Sequence, residues 1–318
     1  MKKINMKNIF LRTLVASFLI IFSQNAFSAS QCTYNTFEEW KECFVLENLA
    51  GNFNSPEADI ISKATFNERA ITLDRKQPEK KLSYSEYLTL IGFNNKVANA
   101  KKYYAENRKL ITEVASHFNI EPEVIVALIG MESDFGKIQG KFNIVDTVAS
   151  LSYEGRRKAF FEKELMHILK MAKEDNLQYD DLKGSWAGAM GQIQFMPSSF
   201  NTYAVDFNNN GVRDIWESKE DIYASAANYL IKNGWQINNT HATKYNESAQ
   251  NPVNITNCSK NNEKCGCDGI YCLISMKYND TIHRSYLVGK NFDVLMTWNK
   301  SYYFCLSVML IANELKRV

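Results

Sequence analysis

The chain has 318 residues, 45% of them hydrophobic and 23% charged, with a formal net charge of +2. This is enough apolar material for one large core or two, which excludes disorder as the organising principle. The first thirty residues hold four basic and no acidic side chains, so a chain without them would carry −2, a balance that argues against nucleic acid as a partner.

Those thirty residues read as a secretory signal peptide: Lys2, Lys3, Lys7 and Arg12 precede an apolar run over 14–22, and small residues come after it. The run is shorter than the roughly 18 residues of a membrane span. Cleavage is expected at Ala26-Phe27-Ser28 or Ser28-Ala29-Ser30. Cys32 is preceded by Gln31, too large for a lipoprotein signal, so the expected product is soluble and periplasmic, with no transmembrane segment after signal removal. All seven cysteines lie beyond this segment, and export makes disulfides plausible. Cys32 is expected to pair with Cys43, and Cys258, Cys265, Cys267 and Cys272 to close a small subdomain among themselves. Cys305, inside an apolar run, reads as a buried thiol.

Helical periodicity dominates the chain beyond the signal segment. The stretch 87–118 spaces its apolar residues for amphipathic helices, and Pro122 opens another at a position where a missing N–H costs nothing. Further helices are expected from Arg156, from Asp221 until Gly234, and over 302–315. Between 236 and 290 the pattern turns Asn-rich and Cys-containing with short apolar runs, which suits a small β-containing insertion. The fold class is mainly α. The expected organisation is a signal peptide over 1–30, a helical region over 31–120, a core over 121–235, a Cys-rich insertion over 236–290 and a C-terminal helix over 291–318.

Three stretches carry candidate chemistry. In "VIVALIGMESDFG" an unbroken apolar run precedes Glu132, so this carboxyl leaves the core where desolvation favours its protonated form, as a general acid requires. A carboxylate emerging at a surface helix end is the bland alternative. Asp134 cannot pair with it, because residues two apart face nearly opposite sides of a helix. In "GSWAGAMGQIQFMPSSF", Gly184, Gly188 and Gly191 allow close backbone approach, while Ser185, Gln192 and Gln194 offer the neutral hydrogen bonds a polyhydroxylated ligand needs. Glycines that merely pack helices are the alternative. In "DFNNNGVRDIWE", Asp206, Asn208, Asn210, Gly211, the Val212 carbonyl, Asp214 and Glu217 match calcium-loop spacing, with a metal-free Asn/Gly turn as the alternative.

Together with "RKQPE" at 75–79, the "RR" and "FF" of 156–161 and "SAANYL", these blocks resemble the membrane-bound lytic murein transglycosylase B family. The resemblance implies a lysozyme-like α-rich catalytic domain and an enzyme, a carbon-oxygen lyase acting on polysaccharide. It would cleave the β-1,4 bond between N-acetylmuramic acid and N-acetylglucosamine without water, leaving a 1,6-anhydromuramoyl end. It assigns Glu132 as the single acid and then base. Ser185, Gln194 and Tyr229 become sugar-contacting positions, as do Trp298 and Phe304 where the family usually carries tyrosines. A structural Ca2+ would sit on Asp206, Asn208, Asn210 and Val212, with Asp221 competing with Glu217 and Glu220 for the last ligand. The expected partner is the peptidoglycan glycan strand. A non-catalytic peptidoglycan-binding or scaffold protein and a lysozyme-type hydrolase are the rival readings.

Overall fold

The computed structural model describes residues 32–76, 82–239, 242–245, 255–257, 271–279 and 282–317. The signal segment, residues 77–79 of the "RKQPE" block, and Cys258, Cys265 and Cys267 lie outside them.

The chain opens with α1 (Phe37–Asn48), α2 (Pro56–Lys63) and α3 (Glu68–Arg75), each started by a side-chain cap from Thr36, Ser55 or Asn67. Cys32 and Cys43 are disulfide-bonded as expected, across a Cα–Cα distance of 5.6 Å. The expected helical stretch over 87–118 is two helices, α4 (Tyr84–Leu90) and α5 (Phe93–Phe118), divided where Gly92 takes a left-handed conformation. Then comes α6 (Pro122–Ser133) with Pro122 in its first turn, and after it β1 (Phe142–Asn143), α7 (Ile144–Glu154) and α8 (Lys158–Glu174). The sequence pattern carries no sign of β1 or its antiparallel partner β2 (Lys183–Gly184). The helices α9 (Pro197–Tyr203) and α10 (Lys219–Lys232) complete this part.

The β-containing insertion is a four-stranded sheet of β3 (Ala242–Lys244), β4 (Ile255–Asn257), β5 (Tyr271–Lys277) and β6 (His283–Gly289), in the order β3-β6-β5-β4. Cys272 opposes Val288 in this sheet, is fully buried and is disulfide-bonded. The chain ends in α11 (Asn291–Trp298) and α12 (Tyr302–Leu315), where the sequence suggested one helix.

The helix α6 is the hub. Val124 through Ile129 have no solvent exposure, because α5, α10 and α12 all pack on it. A helix apolar all round can only be a core element. Its buried N-cap carboxylate, Glu121, accepts from the Trp235 indole N–H at 2.8 Å and the Asn238 N–H at 2.9 Å, tying it to the chain after α10. At the N-terminal end, Asp74 on α3 is 3% exposed and takes the guanidinium groups of Arg156 and Arg157, which fixes α3 against the start of α8. On the other flank Tyr84 is fully buried among Tyr87, Tyr278, Tyr286 and Tyr303, joining α4 to the sheet and to α12. Among the described residues no single helix is long and apolar enough to cross a membrane. The architecture is the mainly α fold with a small β insertion that the sequence implies.

Candidate active site

Glu132 sits in the last turn of α6, and the way that helix stops decides where its carboxyl goes. Asp134, Phe135 and Gly136 all take left-handed backbone angles, so the chain reverses at once. The reversal folds the Phe135 ring back over Gly130, where a β-carbon would lie 2.6 Å from it. Ser133 fastens the turn by donating to the Ile129 carbonyl at 3.2 Å and accepting from the Gly136 N–H at 2.9 Å.

The indole N–H of Trp298, the last residue of α11, donates to Glu132 Oε1 at 2.7 Å. Lys96 on α5 donates to the Gly130 carbonyl at 2.7 Å and stands 3.7 Å from Asp134, which also pairs with Lys137. Burial pushes the Glu132 carboxyl up to about 7, against the opposing pull of the Trp298 hydrogen bond and the Lys96 charge. Near neutral pH the group is therefore placed both to give and to take a proton. Asp134 is engaged by two lysines, and no second carboxylate is among the groups that shift Glu132.

The glycine-rich block packs against the loop that follows α6. A β-carbon on Gly140 would lie 2.0 Å from the Gly184 carbonyl oxygen, so the loop after α6 and the block meet backbone to backbone, with room for no side chain. Ser185 accepts the Ala189 N–H on its hydroxyl oxygen at 3.0 Å, which leaves its hydroxyl proton uncommitted by that bond. Gln194, held at positive φ, spends its amide N–H groups on Gly191 O at 2.8 Å and Gln139 O at 3.2 Å, leaving its side-chain oxygen as an acceptor. Gln192 instead reaches the Trp216 carbonyl at 2.9 Å and braces the block from behind.

Aromatic rings close the site. Tyr229 on α10 packs on Tyr203, Trp298 and Phe195 with centroids 4.5, 4.7 and 5.7 Å away, and its hydroxyl donates to the Thr297 carbonyl at 2.8 Å. Trp298 also meets Phe195 at 5.3 Å. Glu132, Trp298, Tyr229 and Phe195 of the glycine-rich block thus meet from α6, α11, α10 and the segment after β2. Phe304, in the first turn of α12, is 6% exposed and belongs to the buried core, as does Tyr229 at 9%. Sequence reasoning missed Phe195, Tyr203, Tyr87 and Lys96. Phe195 lies inside the glycine-rich block and was open to notice, whereas Tyr87 and Lys96 belong to ordinary amphipathic helices that carry no local mark.

The 206–221 segment folds as a compact oxygen-rich loop. Asp206 accepts from the N–H groups of Asn210 and Gly211, Asn208 from Asn210, and Asn210 from Val212. Asp221, fully buried at the start of α10, accepts from Phe207 and Asp214 at 2.8 and 3.0 Å. Burial pushes its carboxyl above the ordinary aspartate value, and the neighbouring Asp206 charge pushes it the same way. Asp214 turns onto the N–H groups of Trp216 and Glu217, and Glu217 is exposed. Among the described residues no cluster of three or more His, Cys, Asp or Glu side chains is placed to hold a metal. The loop offers a different donor set: two carboxylates close enough to repel, with amide and carbonyl oxygens around them, which fits a hard divalent cation.

A family model described as the transglycosylase SLT domain matches residues 36–313. Over 140 residues the chain is 39% identical to membrane-bound lytic murein transglycosylase B of Escherichia coli. That match covers 44% of this chain and 38% of the relative's length. Among solved structures it resembles SltB3 of Pseudomonas aeruginosa in complex with NAG-NAM-pentapeptide, at 28% identity and a TM-score of 0.77, covering 89% of this chain and 80% of that one. It also resembles the Escherichia coli lytic transglycosylase Slt35 in complex with calcium, at 25% identity and a TM-score of 0.71, covering 88% and 92% of the two chains.

Proposed function

The chain belongs to the transglycosylase SLT domain family, and on that premise we propose that it is a lytic transglycosylase of peptidoglycan. The observation that carries the proposal is one carboxyl group, Glu132, pushed up by burial and bonded to the Trp298 indole, with no second carboxylate acting on it among the described residues. Hydrolytic glycosidases need a second carboxylate, either to activate water or to attack the sugar. One group suffices when the nucleophile is already part of the substrate.

Protonated Glu132 donates to the glycosidic oxygen between N-acetylmuramic acid and N-acetylglucosamine, and the C1–O bond breaks. The resulting carboxylate takes the proton of the muramic C6 hydroxyl as that oxygen bonds to C1. A 1,6-anhydromuramoyl end forms, Glu132 is again protonated, and no water is consumed. Ser185 and Gln194 supply a donor and an acceptor for sugar hydroxyls and amides, and the rings of Trp298 and Tyr229 supply apolar faces. Asp206, Asn208, Asn210, the Val212 carbonyl and Asp221 would hold Ca2+, which supplies cross-linking of the loop to the start of α10 and no chemistry at the glycosidic bond. The relatives' names and the leader-like first thirty residues support a periplasmic location facing the glycan strands.

Mass spectrometry of murein digested by the purified protein tests the proposal. The expected products are anhydro-ended, lighter than hydrolytic products by one water per cut. Glu132→Gln should lose at least roughly a hundredfold in rate, the usual worth of general acid–base catalysis. Reducing ends would establish a hydrolase, and murein binding without any release would establish a scaffold.

A further inference from the structure

Glu132 has two carboxyl oxygens, and the site treats them differently. Oε1 receives the Trp298 indole N–H at 2.7 Å. Oε2 has no hydrogen-bond partner among the described residues, and it is not among the fully enclosed side-chain atoms that lack one. An indole nitrogen donates and cannot accept. Oε1 is therefore held as the acceptor, the role of the carbonyl oxygen in a carboxylic acid, and the proton is left to Oε2. We infer that Trp298 is the positioning residue of the general acid, its indole N–H fixing the catalytic proton on Oε2, the oxygen without a protein partner. This rests on the proposed function, and it assigns to Trp298 a role separate from stacking on sugars.

The indole is itself held tightly. Its ring packs on Tyr229 and Phe195, and Tyr229 anchors the preceding residue by donating to the Thr297 carbonyl. The Trp298 N–H thus has little freedom to track the carboxyl if it turns, so rotation of Glu132 about its last bond would break the hydrogen bond. A tyrosine hydroxyl in this place could donate or accept, and would leave the assignment of the two oxygens open. The indole removes that ambiguity.

The same bond opposes the upward push of burial on the Glu132 carboxyl. It is stronger to the carboxylate than to the neutral acid, so it favours the form left after the proton has gone to the leaving oxygen. The other groups within electrostatic reach of Glu132 are Lys96 on α5, Tyr87 on α4 and Cys305 on α12. Tyr229 on α10 is engaged with Thr297, and Asp134 with Lys96 and Lys137. Burial pushes Tyr87 and Cys305 up, so both are neutral where Glu132 titrates, and Lys96 is the one standing charge. Removing the indole N–H leaves burial opposed by Lys96 alone.

The test reads the proton without substrate, so it can fail while the proposed reaction stands. In protein carrying 13C-labelled glutamate carboxyls, Trp298→Phe should raise the midpoint of the Glu132 titration by about one unit or more, the differential worth of a hydrogen bond to a charged group. The pH profile of murein cleavage should move the same way, with a fall in kcat that exceeds any change in KM. A folded Trp298→Phe protein with an unmoved midpoint overturns the inference. Should that variant fail to fold, the parent protein still decides. Of its five tryptophan indole N–H resonances, one should shift with pH alongside Glu132 and stop doing so in Glu132→Gln. No titrating indole would refute the assignment.

Discussion

Glu132→Gln should make the protein more stable at alkaline pH and leave it nearly unchanged in acid. Burial lifts the Glu132 carboxyl from an ordinary 4.5 to about 7, so between those values the native state keeps a proton that the unfolded chain has released. A group raised in this way contributes stability that is fully present below 4.5 and lost as pH rises through about 7. At about 1.4 kcal/mol per unit, the parent protein gives up about 3 kcal/mol across that window. Glutamine cannot ionise and still offers its side-chain oxygen to the Trp298 N–H, so it escapes the loss. Urea titrations of both proteins, monitored by far-ultraviolet circular dichroism to avoid the fluorescence of Trp298 itself, should show curves close together near about pH 4 and separated by about 3 kcal/mol near about pH 8.5. Every other titrating group is common to the two proteins and cancels in the difference. A gap that does not widen with pH, or a glutamine variant that is the weaker one in alkali, would refute the burial argument for a general acid.

How much of this site the sequence discloses depends on how local each relation is. Glu132 is legible because its desolvation comes from its own helix: the run before it is apolar on every side, and Val124 through Ile129 are indeed fully buried. Its partner Trp298 lies 166 residues away, and no spacing rule spans that distance; only the family resemblance points to the position. The glycine-rich block is legible as a bare backbone, but the reason for the bareness is the loop at Gly140, which nothing in the block announces. The loop at 206–212 is local and reads directly, while the competition among Asp221, Glu217 and Glu220 turns on burial, which only the fold reveals: Asp221 is the fully buried one. Phe304 shows a carried-over position and its burial coming from different sources. The resemblance gives its place in a motif, whereas its burial comes from the way α12 packs on α6 and α5. The insertion reads as β-containing from its short apolar runs, but the order β3-β6-β5-β4 comes from non-local pairing that such runs leave open.

Two further perturbations probe the same geometry. Gly140→Ala would set a β-carbon 2.0 Å from the Gly184 carbonyl oxygen at a residue already in a left-handed conformation, so it should cost more than about 2 kcal/mol in thermal or urea unfolding and depress murein cleavage by displacing Ser185; an unchanged melting temperature would mean that the two loops do not meet as described. Calcium should raise the melting temperature of the parent protein and not that of Asp221→Asn. That substitution keeps an oxygen for the Phe207 N–H but removes one of two mutually repelling carboxylates, and with it half of the pair's charge that draws a cation. Without calcium the same variant loses the repulsion from Asp206 but sets an amide NH2 against the Asp214 N–H, so it should be somewhat less stable than the parent at neutral pH. A variant that responds to calcium as the parent does would show that Asp221 is no ligand, and a parent that ignores calcium up to about millimolar concentration would leave the loop a plain Asn/Gly turn.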